Sequence, residues 1–157
     1  MAKFRAVFDC MVFLQGAARR ESAAGACLRL LELDGVELYV SPQIVAELRD
    51  VMTRPRVRHK FPALTDDHVN WFLAALQRKS VFVPQVPRIF VYDRDPKDEP
   101  YINLAIITAA DYLVRRDADL LDLGRDSDVD GERLRRHSPR LRVLDPVEFL
   151  VELRRQL

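Results

Sequence analysis

Short β-rich runs alternate with segments of helix length along this chain, and that alternation restricts the fold more than any other feature of the sequence. The runs are Phe4–Phe8, Glu37–Val40, Val81–Val83, Tyr112–Val114 and Val143–Leu144. Between them, apolar residues recur at helical spacing. Ser22 to Leu33 puts Ala24, Cys27, Leu28 and Leu31 in phase, and Thr65–Lys79 does the same for Val69, Phe72, Leu73 and Leu76. Ser41-Pro42, an N-cap followed by proline at the first helical position, opens a helix carrying Ile44, Val45, Leu48, Val51 and Met52 on one stripe. A proline-punctuated loop, Pro84 to Pro96, precedes a helix from Glu99 to Ala110, and Asp145-Pro146 opens a last one. Strands separated by helices predict an α/β fold: a three-layer α/β/α sandwich around a central, mostly parallel sheet. With 157 residues, 48% of them hydrophobic and 31% charged, the chain suits one domain spanning 1–157.

Several classes drop out on composition. Acids and bases number 24 and 25, so net charge alone makes no case for a polyanionic partner. The bases are nevertheless 21 arginines and four lysines, and the planar guanidinium suits phosphates and carboxylates. Cys10 and Cys27 form no CxxC pair, which points to a reducing, cytoplasmic setting without structural zinc or disulfides. The N-terminus imitates a secretory signal, but Asp9 interrupts its apolar run and argues against one. No stretch reaches the roughly 18 apolar residues of a membrane span.

The placement of acids is the informative part. In an open parallel sheet the ligand site lies beyond the carboxyl ends of the strands. Asp9 and Asp117 each follow a strand directly or closely, Glu47 borders the buried stripe of the helix opened by Ser41, and Asp98 stands one turn before Ile102. Carboxylates leaning toward an interior need arginine partners, helix caps or a cation. Magnesium or manganese is the natural cation for such oxygen donors. Three of these acids also have a plainer role open to them, Asp98 as a cap of the next helix, Asp117 as a partner of Arg115 or Arg116 and Glu47 as a solvated helix acid, whereas Asp9 is hardest to dismiss because an apolar run surrounds it.

The order of strand–Asp9, SPQIVAELRDVMTRPR around Glu47 and DRDPKDEPYINLAIITAADYLVRRDADLL resembles the PIN-domain ribonucleases, in particular the stand-alone bacterial toxins of toxin–antitoxin pairs (VapC-like). The resemblance runs from Phe4 to Leu150. It implies a carboxylate cluster that holds one or two Mg²⁺ or Mn²⁺ ions and cuts RNA phosphodiesters, with Asp9, Glu47, Asp98 and Asp117 as catalytic acids and metal ligands and Asp119 as an outer ligand. It also implies an antitoxin protein as partner and a homodimer. A two-metal site needs a carboxylate cage more than a nucleophilic side chain, so the lack of a Ser–His–Asp or Cys–His set does not count against it. The chain departs from the family pattern at Cys10 and Met11, where a small hydroxyl residue and Asn or Ser usually follow the first acid, and at Arg115-Arg116, where Thr or Ser and a small residue are common. Either arginine can bind the scissile phosphate or compete with the metal for a carboxylate. These departures keep a second reading open, a catalytically weak or inactive PIN-like module that binds RNA or protein.

Arg54, Arg56 and Arg58, in the basic run after the Glu47 helix, are further candidates for RNA phosphates, with Arg115 and Arg116. Asp126 to Gly131 copies the first half of an EF-hand loop, but position twelve is His137, so a flexible charged loop is the better reading. His59, His68 and His137 are scattered and read as surface residues. A phosphoacceptor receiver domain also puts acids at strand ends, but it requires a lysine after a late strand, where this chain has Arg115 and Asp145.

Overall fold

A computed structural model describes residues 3–33, 35–116, 122–125 and 128–156. Five strands form one all-parallel sheet in the order β3-β2-β1-β4-β5: β1 (Phe4–Phe8), β2 (Val36–Val40), β3 (Val81–Phe82), β4 (Tyr112–Val114) and β5 (Arg142–Leu144). β1 is the central strand, with Ala6 level with Leu38 of β2 on one side and with Tyr112 of β4 on the other. Buried on both faces, its last three residues are wholly withdrawn from water.

Eight α-helices fall within the described residues: α1 (Cys10–Ala18), α2 (Ala23–Arg29), α3 (Pro42–Met52), α4 (Pro55–Lys60), α5 (Asp66–Lys79), α6 (Glu99–Ile107), α7 (Val129–His137) and α8 (Pro146–Gln156). They sandwich the sheet. From α8, Phe149 packs edge-on against Phe8 and Tyr112, with ring centres 5.7 and 5.3 Å away. The helix starts follow capping chemistry written in the sequence. Ser22, Ser41 and Thr65 each accept a backbone N–H at the head of α2, α3 and α5, and Asp145 and Glu148 exchange reciprocal bonds at the head of α8.

Four segments differ from expectation. Residues 10–18 form a helix although the sequence shows only an apolar run there, and the basic run after Arg54 contains the short α4. The expected charged loop contains α7, whose N-cap Asp128 accepts from Gly131 N and pairs with Arg94 at 2.8 Å. The helix after Glu99 stops at Ile107 rather than Ala110, because Ala109 turns into the left-handed region (φ 51°) and Ala110 N–H closes back on the Ala105 carbonyl.

The long connection before α6 is clamped to that helix. Asn103 Oδ1 accepts from Ile89 N and Phe90 N, its Nδ2 donates to the Phe90 and Glu99 carbonyls, and Glu99 Oε2 accepts from Tyr92 N. These bonds fix where the chain re-enters the carboxyl edge of the sheet, at Asp95 and Asp98.

Candidate catalytic cleft at the carboxyl edge of the sheet

β1 ends directly at Asp9, which is the N-cap of α1: its Oδ1 accepts Val12 N–H at 2.9 Å. The same carboxylate, 3% exposed, turns Oδ2 toward the end of β4, where Arg115 Nη2 and Arg116 N each lie 3.5 Å away. Asp98 stands at the N-cap position of α6 but makes no side-chain cap bond to that helix. Its Oδ1 lies instead 3.1 Å from the same Arg115 Nη2. One guanidinium nitrogen thus faces carboxylates delivered by two elements far apart in sequence. Arg115 is 1% exposed, and among the described residues its Nε and Nη1 have no hydrogen-bond partner.

Glu47, half-buried on α3, accepts the Tyr101 hydroxyl proton at Oε2, 2.9 Å away. Burial raises its pKa above the ordinary carboxylate value, while the Tyr101 bond and the charges of Lys97 and Arg54 pull the other way. Burial likewise pushes the Cys10 thiol up to about 12, with help from the charges of Glu47 and Asp9, so it stays protonated at neutral pH.

These groups line one cleft of about 520 Å³, whose walls include Arg54, Arg56, Lys60, Lys97, Phe61 and Met11. The acids thus lie behind a basic rim. Arg54 is tied to Asp50 at 2.6 Å, and Lys60 sits over the Phe61 ring.

The expected site residues are distributed as follows. Asp9, Glu47, Asp98, Arg54, Arg56 and Arg115 all line the cleft. Arg115 is no surface arginine: it is buried between two of the acids. Arg116 is exposed and its guanidinium donates to Gln15 Oε1. Arg58 turns away, donating to the Met52 carbonyl at 3.2 Å and pairing with Asp66 at 2.7 Å. Asp117 and Asp119 lie outside the described residues. His68 is half-buried, its Nε2 2.8 Å from the Ala17 carbonyl oxygen. Sequence reasoning passed over Tyr101 and Lys97; Tyr101 was findable, since it lies three residues after Asp98 and so shares its side of α6.

Among the described residues, no three His, Cys, Asp or Glu side chains form a metal-holding group. The donor chemistry nevertheless fits a hard divalent ion. Asp9 and Asp98 already bracket a cationic nitrogen, as carboxylates bracket a cation, and Glu47 supplies further oxygens to the same cleft.

Two comparisons bear on this arrangement. No curated protein matches the chain. The family model of the PIN domain matches residues 5–119, from β1 through the segment that follows β4, and takes in Asp9, Glu47, Asp98, Asp117 and Asp119. PIN domains are in general metal-dependent nucleases. The match covers well over half of the sequence, and the chain belongs to the PIN domain family.

Proposed function

We propose that the chain, read as one PIN-like domain over 1–157, is an endoribonuclease that hydrolyses RNA phosphodiester bonds in this cleft with Mg²⁺ or Mn²⁺ bound. The observation that carries the reading is the convergence of Asp9 and Asp98 on a single cation position, with Glu47 in the same basic-rimmed cleft. Asp9, Glu47 and Asp98 hold the ion, joined by Asp117 and Asp119 as the family resemblance implies. When bound, a divalent ion supplies Lewis-acid polarisation of the scissile phosphate and a nucleophile at neutral pH.

The chain's own groups do the rest. Arg56, Lys60 and Lys97 offer positive charge to phosphates on either side of the scissile bond. Tyr101 orients Glu47 and favours its charged form by donating to it. Asp9 does double duty, since Oδ1 is anchored by the first turn of α1 while Oδ2 faces the cation position. The resemblance supports a toxin that acts as a homodimer and is neutralised by an antitoxin protein, and the absence of a CxxC pair supports a cytoplasmic setting. No helix among the described residues is long and apolar enough to cross a membrane.

The test is cleavage of a labelled RNA in Mn²⁺ by the chain and by Asp9→Asn and Asp98→Asn, with circular dichroism to show that the variants fold. Both substitutions abolish cleavage on this reading; undiminished cleavage by folded variants sinks it. Arg115 favours a second reading, a PIN-like module that binds RNA without cutting it, because the acid pair already faces a cation supplied by the protein itself. RNA binding without cleavage at any Mn²⁺ concentration would select that reading.

A further inference from the structure

The buried arginine at the end of β4 has a consequence for how the cleft is loaded. We propose that Arg115 is the internal counter-cation of the Asp9–Asp98 pair, so that a divalent ion enters only when the guanidinium is displaced. This rests on the reading of the cleft as a divalent-ion site.

Three observations carry it. The first is position: Nη2 lies 3.5 Å from Asp9 Oδ2 and 3.1 Å from Asp98 Oδ1, the place between the two carboxylates that a shared cation takes. The second is fit. Charge-assisted N–H···O bonds run at about 2.7–2.9 Å, and arginine is built to make several at once. Here both contacts are longer, and Nε and Nη1, buried with the rest of the side chain, donate to nothing among the described residues. The guanidinium supplies charge to the pair and little of the forked bonding that would lock it in place.

The third is charge. A divalent ion held between Asp9 and Asp98 would take the position that Arg115 Nη2 now occupies and would lie close against the guanidinium, where like charges repel strongly even with Glu47 in the same cleft. The two cations therefore exclude each other. Arg115 also lines the open cleft, which gives a displaced side chain somewhere to go.

Apparent affinity for the ion then equals the intrinsic affinity reduced by the fraction of molecules in which Arg115 has left. Calorimetry with MnCl₂ on the full chain and on Arg115→Ala tests this. The variant is expected to bind on the order of ten times more tightly or better, and adding Asp98→Asn to it should abolish the gain. An Arg115 with a merely structural role would lower the melting temperature of the variant and leave Mn²⁺ affinity unmoved. Equal affinities that are both lost with Asp98→Asn overturn the proposal and leave the ion site standing. No binding to either protein overturns both.

A second measurement needs no substitution. In the unaltered chain, the Arg115 Nε–Hε resonance should shift in step with Mg²⁺ binding as the side chain leaves the carboxylates. A resonance unmoved at saturating Mg²⁺ overturns the proposal even if Arg115→Ala fails to fold.

Discussion

Asp98 Oδ1 lies 3.1 Å from Arg115 Nη2, and the two side chains keep only 12% and 1% of their surface in contact with water. Breaking a buried pair on one side leaves the other charge stranded, which costs far more than the net worth of the pair. Arg115→Ala takes a buried counter-charge from two carboxylates at once. In metal-free buffer at neutral pH it should lose about 3 kcal/mol of stability. Combining it with Asp98→Asn should cost less than the sum of the single changes, with a coupling of about 1–3 kcal/mol. Urea unfolding of the four proteins closes the cycle, and additive losses would contradict the pairing.

Arg115 also shows where sequence reading stops. Beside Asp117 in the chain, either arginine of the pair looked able to neutralise that acid. Successive residues of an extended segment point to opposite sides, however, so Arg115 goes inward to Asp9 and Asp98 while Arg116 goes outward to Gln15. The inner strands were legible because parallel strands buried on both faces are rich in apolar, β-favouring residues even where Arg5 or Glu37 interrupts them, and Asp9 because a charge at the end of such a run has few explanations. Helix α1 was not, since Val12, Phe13, Leu14, Gly16 and Ala17 are all buried and leave no polar face to set a period. Helix α7 failed for the opposite reason. It buries only Gly131 and Leu134, and its readable signal was the capping Asp128.

The burial of Glu47, which the Tyr101 bond opposes only in part, predicts a pH dependence with a definite sign. Burial raises the Glu47 pKa above 4.5 in the folded chain. Its contribution to stability is therefore fully present below about pH 4.5 and is lost as the pH rises through the folded value. Glu47→Gln removes that loss. In metal-free buffer the variant should gain on the parent chain between pH 4 and pH 7, as read from melting temperatures; a variant that loses ground to the parent over this range refutes the assignment. Tyr101→Phe deletes the donor that favours the carboxylate, so the Glu47 titration followed by carboxyl ¹³C shifts should move further up.

Ala109 is the one described non-glycine residue with positive φ, at 51°. A Cβ in the left-handed region costs about 1–2 kcal/mol, and glycine escapes that cost while losing more freedom on folding. Ala109→Gly should therefore stabilise the chain by about 0.5–1 kcal/mol. Thermal and urea unfolding measure it, and since Ala109 does not line the cleft, Mn²⁺ affinity should stay where it was.

Arg56 and Arg58 stand two residues apart and predict opposite results for RNA binding. Arg56 is exposed and lines the cleft, whereas Arg58 is spent on the Met52 carbonyl and on Asp66. A side chain that neutralises one phosphate of single-stranded RNA releases counterions and adds about 0.7 to the slope of log affinity against log salt. In an Asp98→Asn background, where RNA is bound but not cut, Arg56→Ala should weaken binding at every salt concentration and flatten the slope by about that amount. Arg58→Ala should leave the slope unchanged even where it lowers stability, because its guanidinium never faces the cleft. Fluorescence anisotropy of a labelled oligonucleotide across a salt series separates the two, and equal slopes for Arg56→Ala and the parent would remove Arg56 from the RNA path.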